Sequence, residues 1–255
     1  MFEPIMSDDK KRVAILIDTE THMMPALARE MIRRNHNLVI GNTVDGLADE
    51  LKQMGGDIEV VPDRLDLTKS DAVQKLVDAA NNRFGGFDSA CIRTGAHATA
   101  EILEATEEEC DAMYEGNFKQ AFFALKALLP PLVNKGSGQV VINTSSTSIR
   151  PSTIAPLYSA QRAAANMLVR VAALTYSPKG VSINATGTYA MDYPGYLKDT
   201  GADTPEGRKR EEAKIPLRRL CKPEEAAHFV ATLIDGVGTF QTGQFFSIDG
   251  GWAFE

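Results

Sequence analysis

Short runs rich in β-branched residues alternate along this chain with longer segments whose apolar residues recur at helical spacing. No other feature constrains the fold as much. A strand buried on both faces needs a helix to carry the chain back to the same end of a parallel sheet. Residues 12–18 ("RVAILID") read as the first buried strand, with residues 37–42, 58–66, 87–95, 138–146, 181–190 and 243–251 as its successors. Helical patterns cover residues 23–34, 70–84, about 107–129 and 223–235, and a further helix follows the fifth strand. Pro25 suits a first helical turn, Ser70 can cap the helix it opens, and Pro130-Pro131 is expected to break the long helix. Residues 192–213, with two prolines, three glycines and a charge-rich stretch, are expected to form a substrate loop or lid with short helices. The expected fold is α/β, a doubly wound parallel sheet in a single domain over residues 1–255.

Composition narrows the function. With 44% hydrophobic and 24% charged residues, the 255-residue chain has the balance of a globular domain that buries one full core. Its formal net charge of -7 speaks against nucleic acid or an anionic membrane as a partner. No run approaches the 18 or so apolar residues of a membrane span. The opening residues 1–11 are polar, are expected to be flexible, and lack the apolar segment of a signal peptide. Cys91, Cys110 and Cys221 show no paired spacing, which fits a reduced, cytoplasmic protein. The histidines, His22, His36, His97 and His228, are scattered, so no metal site is expected.

The chemistry concentrates in "PLYSAQRAAANMLVR", residues 156–170, where Tyr158 and Arg162 stand four apart and therefore share a helix face. Ser145 lies 13 residues before Tyr158, at the end of the fifth strand. With "DLT" at 66–68, Asn117 on the long helix and "TGQFFSIDGG" at 242–251, this order resembles the short-chain dehydrogenase/reductases, a Rossmann-like fold, over nearly the whole chain. In that family a Lys stands four residues after the Tyr, and three glycines line the first βα turn, where a dinucleotide's pyrophosphate sits. Here the positions read Arg162, Asp18, His22 and Met24, and the family's Asn-Asn-Ala-Gly becomes Ile92-Arg93-Thr94-Gly95. A carboxylate would repel pyrophosphate, and His and Met would fill its volume. Arg keeps the charge that stabilises a tyrosinate but is a poor steric match for the ribose contact that Lys makes.

A Ser-x12-Tyr-x3-Arg arrangement on this fold, without the glycines, resembles the halohydrin (haloalcohol) dehalogenases. The stretches "FDSAC", "NATGTYAMDYPGYL", "IPLRRL" and "FQTGQFFSIDGGW" extend the similarity. The resemblance implies a lyase that needs no cofactor and acts on vicinal haloalcohols. Tyr158, held ready by Arg162, takes the hydroxyl proton, Ser145 binds the oxygen, and the alkoxide displaces halide to close an epoxide. Reversed, the site opens epoxides with halide or another small anion. The loop after the sixth strand is the expected halide and substrate pocket: Thr188, Tyr189, Ala190, Met191 and Tyr193, with backbone N–H groups of Ala190 and Met191 as halide donors. His22 is expected either to join that pocket or to pack, Asn117 to brace its helix, and Trp252 to pack or to line a pocket. A homotetramer is implied by the same family, with the helices around 107–129 and 158–177 pairing across a two-fold axis. The rival readings are an NAD(P)-dependent oxidoreductase with a degenerate turn and a catalytically silent binding protein.

Overall fold

β1 (Arg12–Ile17), β2 (His36–Gly41), β3 (Ile58–Val60), β4 (Ser89–Arg93), β5 (Gly138–Ser145), β6 (Val181–Thr188) and β7 (Phe245–Ile248) form one sheet in the order β3-β2-β1-β4-β5-β6-β7. Every neighbouring pair is parallel. The protein is described by a computed structural model covering residues 11–254. The opening segment expected to be flexible lies, except for Lys11, outside the described residues. Side chains alternate across the sheet: Val13, Ile15 and Ile17 enter one core, Ala14 and Leu16 the other. Both faces are covered, as a parallel sheet requires. Helices α1 (Met24–Arg33), α2 (Leu47–Gln53) and α9 (Pro223–Thr232) close one side. Helices α3 (Ala72–Phe84), α5 (Gln120–Lys135) and α6 (Pro156–Tyr176) close the other. Ile15, wholly buried in β1 between two neighbouring strands, illustrates the stakes: truncation to Ala at such a site costs about 2–5 kcal/mol.

All seven expected strands are present, although the third stops at Val60 rather than running to residue 66. Beyond Val60 the chain leaves the sheet, and Asn42 holds Leu65 by donating to its carbonyl and accepting from its N–H. The long helix departs from expectation twice. It begins as α4 (Glu107–Met113) behind a Thr106–Glu109 capping box and then widens into a π-helical stretch, Tyr114–Lys119. It resumes as α5 and runs through Pro130 and Pro131 to Lys135, where the expectation was a break. Pro130 lies on the exposed face, and the carbonyl it leaves without a helical partner belongs to exposed Lys126. Leu128, Leu129 and Leu132 meanwhile hold the inner face in the core, and Gly136 ends the helix in the left-handed conformation. Residues 192–213 fold as α7 (Pro194–Thr200) and α8 (Pro205–Ala213). Among the described residues, no helix is long and apolar enough to cross a membrane, and no group of His, Cys, Asp and Glu is arranged to hold a metal.

Candidate active site

The strand order reverses between β1 and β4, and the helices that leave these two strands diverge, opening a crevice at the strands' C-terminal ends. Polar residues gather there from the strand ends: Arg93 and Thr94 at the end of β4, Ser145 from β5 and Thr188 from β6, with Asp18 after β1 on the adjoining side. The resulting cavity has a volume of about 670 Å³.

The turn between β1 and α1 keeps the backbone shape that glycine normally supplies, but with side chains on it. Asp18 (φ 64°) and His22 (φ 60°) both sit in the left-handed region. The Asp18 carboxylate is paired with Arg93, while Glu20 receives both N–H arms of Arg64 at 2.8 and 2.9 Å. His22 Nε2 lies 3.0 Å from Thr188 Oγ1, and its ring stands edge-on to Tyr193 with centroids 5.4 Å apart. Burial, with Arg93 and Arg162 adding to it, lowers the His22 pKa to about 3, so the imidazole is neutral. Its Nδ1 is buried without a partner. Met24 begins α1 and is wholly buried. A dinucleotide's pyrophosphate needs open backbone N–H groups and no negative neighbours. Two carboxylates, an inward histidine and a buried methionine do not fit it.

Across the cavity stand Ser145, Tyr158 and Arg162, which the fold brings together as expected. The Ser145 oxygen accepts from Thr147 N–H (3.2 Å) and Thr147 Oγ1 (3.0 Å), which leaves its own hydrogen to donate. Arg162, almost fully buried, lies against the face of the Tyr158 ring with its guanidinium carbon 4.9 Å from the centroid. The guanidinium is anchored on the far side from the ring. It donates to Thr94 Oγ1 (2.9 Å), Thr94 C=O (2.7 Å) and, more weakly, Asn143 C=O (3.4 Å). Close approach at Gly95 permits this: a Cβ there would lie 2.1 Å from Nη2. Burial pushes the Tyr158 phenol up, but the charge of Arg162 and hydrogen bonds from Ser145 and Arg162 outweigh it and leave the pKa below its ordinary value. A tyrosine so placed can act as a base.

The pocket expected after β6 is only partly as read. Thr188, Tyr189 and Tyr193 line the cavity together with His22. Ala190 and Met191 do not. Past Tyr189 the chain is drawn off into a parallel bridge with Cys221, whose N–H donates to the Ala190 carbonyl. The Ala190 side chain then packs with Ile215 and Leu220, and Met191 enters the core beside α1. Trp252 both packs and lines: Tyr189 stacks on it at 3.9 Å. Asn117 braces, donating from Nδ2 to Ala96 C=O (3.0 Å) and Met113 C=O (2.9 Å). Helices α7 and α8 contribute Tyr196, Asp199 and the buried Glu211, whose carboxylate accepts from Tyr196 Oη (3.1 Å) and Lys214 Nζ (2.7 Å). His97, absent from the site expected from the sequence, also reaches it: its ring meets Tyr158 edge-on with centroids 4.9 Å apart. Its signal was position: polar residues just past the C-terminal end of a central parallel strand face the crevice. A second cavity, about 500 Å³, borders the turn itself and is lined by Asp18, Glu20, Thr21, Asn42, Arg64 and Asp66 among others. There Asp66 Oδ1 accepts from Thr68 N–H and Oγ1 at 3.0 and 2.7 Å.

The parallel sheet and the Ser–Tyr pair at its crevice define a short-chain dehydrogenase/reductase architecture. A family model described as enoyl-(acyl carrier protein) reductase matches residues 24–253, and the chain belongs to that family, within the short-chain dehydrogenase/reductase superfamily. Among curated relatives, a 4-formylbenzenesulfonate dehydrogenase of Comamonas testosteroni is 32% identical over 73% of this chain and 75% of its own length. A 2,5-dichloro-2,5-cyclohexadiene-1,4-diol dehydrogenase of Sphingobium indicum is 26% identical over 95% of this chain and 96% of its own. Among solved structures, L-sorbose reductase of Gluconobacter frateurii, complexed with NADPH and L-sorbose, shares the fold at a TM-score of 0.88 with 21% identity, covering 96% and 98% of the two chains.

Proposed function

We propose that this chain is a halohydrin dehalogenase, a carbon–halogen lyase that needs no cofactor. It converts vicinal haloalcohols to epoxides with release of halide, and opens epoxides with small anions in reverse. One observation carries the reading: the turn that would cradle a dinucleotide is filled by Asp18 and His22, beside a complete Ser145, Tyr158, Arg162 arrangement. Tyr158 as phenolate takes the hydroxyl proton while Ser145 donates to the same oxygen. The alkoxide forms the new C–O bond as the C–halogen bond breaks and halide departs with its electron pair. The halide role requires neutral His22 as its Nε2–H tautomer, which donates to Thr188 and leaves the Thr188 hydroxyl to donate to the halide. Arg93 supplies positive potential, and Tyr189 and Tyr193 form the wall. Ala190 and Met191 have no part in this version of the halide site. Incubation with a vicinal bromo- or chloroalcohol, without nicotinamide, tests it: halide release supports the reading, and its absence at any pH removes it.

The second reading is an NAD(P)-dependent oxidoreductase. It is favoured by the dehydrogenase names of the relatives and by the cavity beside Asp66, on the side where an adenosine would lie. Oxidation of a cyclic secondary alcohol with absorbance growing at the nicotinamide band would establish it. The assembly we propose is a homotetramer in the cytoplasm. Met167, Val171 and Leu174 on α6, with Phe122 on α5, leave an apolar face exposed for pairing, and a monomeric mass by light scattering would contradict it.

A further inference from the structure

Each turnover of the proposed dehalogenation leaves one proton on Tyr158, and that proton must depart before the next haloalcohol can react. Arg162, against the ring face, is unsuited to carry it. A guanidinium stays protonated, and both of its terminal nitrogens already donate, to Thr94 and Asn143. The Ser145 oxygen already accepts two hydrogen bonds from Thr147. Asn117 is turned away to the carbonyls of Ala96 and Met113. Among the described residues, one further titratable ring packs directly against Tyr158.

That side chain is His97. It lines the cavity, meets the Tyr158 ring edge-on at 4.9 Å and 73°, and is itself exposed, so it touches both the reacting residue and water. Its backbone is fixed from behind, because Asn117 holds the carbonyl of neighbouring Ala96 and Gly116 leaves room for the Ala96 side chain. The groups that face it are Tyr158 and Arg162 from α6 and Asp199 from α7, an exposed carboxylate in the same cavity wall. We propose that His97 is the proton exit of this site, taking the Tyr158 proton by way of cavity water and passing it to Asp199 and solvent. The inference rests on the dehalogenase reading. The balance closes: the substrate hydroxyl proton moves to the Tyr158 phenolate, then to the His97 ring nitrogen, then to bulk water, while the C–halogen electron pair leaves with the halide. In epoxide opening the same path delivers the proton. Partial desolvation lowers the His97 pKa, with Asp199 opposing and Arg162 assisting, so the imidazole is free to accept near neutral pH.

The test compares halide release by the unchanged chain, His97→Phe and His97→Ala in weak buffer, with and without added imidazole, with folding checked by circular dichroism. His97→Phe keeps an aromatic edge against Tyr158 but carries no proton; His97→Ala opens room for imidazole, and His97→Gln replaces it if that variant does not fold. The expected result is a fall in kcat of about tenfold or more in both, with KM little changed; positioned proton transfer typically contributes about 10²–10⁴-fold. Imidazole or strong buffer restores His97→Ala (or His97→Gln) and leaves the unchanged chain unaffected. Wild-type kcat and pH profile in His97→Phe, or a loss that neither imidazole nor buffer reverses, overturns the proposal alone. No halide release from the unchanged chain removes the dehalogenase reading and this proposal with it.

Discussion

Gly95→Ala disturbs the catalytic cation without changing any charged residue. A Cβ at Gly95 would stand 2.1 Å from Arg162 Nη2 and 3.2 Å from its Cζ, on a backbone with φ +147° that side chains rarely adopt. The guanidinium must retreat by about 1.3 Å or more to regain ordinary contact. That retreat breaks the 2.7 Å hydrogen bond from Nη2 to the Thr94 carbonyl. A hydrogen bond from a charged donor is worth about 1.5–3 kcal/mol. If about 2 kcal/mol of that is lost from the transition state through the displaced charge beside Tyr158, halide release falls roughly thirtyfold at neutral pH. The backbone strain adds about 1–3 kcal/mol of lost stability. Gly136→Ala provides the control, since Gly136 also has positive φ (+74°) but nothing within 4 Å of the added atom. It should lose stability and keep its activity. Initial rates of halide release against pH, with thermal melts of all three proteins, separate the effects. A Gly95→Ala protein with wild-type rate and pH profile would refute the assignment of Arg162 to Tyr158 activation.

Other perturbations read other parts of the site. Tyr158→Phe should abolish halide release with the fold intact by circular dichroism, and Ser145→Ala should lower turnover by the loss of its donor to the substrate oxygen. Arg162→Met should move the rising limb of the pH–rate profile upward, because the phenolate loses the charge that holds its pKa down; Arg162→Lys should be milder but not silent, since the fork to Thr94 is gone. His22 should make folding pH-dependent. Its folded pKa of about 3 lies below the ordinary 6.5, so the unfolded chain alone binds the proton between these values. Stability is therefore full above about 6.5 and declines as pH falls toward 3, by at most ~1.4 kcal/mol per unit. His22→Asn, whose residue type tolerates the left-handed backbone, should show a shallower decline in melts across that window. Parallel curves would mean that His22 does not titrate as described.

The sheet was legible because its signal is periodic: buried strands with helices between them admit few arrangements, and the strand order places Ser145, Tyr158 and Asp18 around one crevice. Features set by long-range contacts were not legible. The chain keeps α5 helical past Pro130 because Leu128, Leu129 and Leu132 are held in the core, a fact absent from the local sequence. Ala190 and Met191 were misplaced because the bridge to Cys221, some 30 residues on, pulls the loop away from the cavity. The Asp18–Arg93 pair joins two departures from the family pattern that the sequence shows only separately. His97 carried no motif, and only the reach of the segment after β4 brings it to Tyr158.

The central claim is that this fold, with its first turn filled by its own side chains, cleaves a carbon–halogen bond without a dinucleotide. The most direct measurement follows halide release from a vicinal haloalcohol by extensively dialysed protein, with NAD+, NADP+, NADH or NADPH added in parallel reactions. The account predicts the same halide release in every reaction, stoichiometric with epoxide, and no change in nicotinamide absorbance. Halide release that appears only with a nicotinamide cofactor, or cofactor turnover without halide, would contradict it.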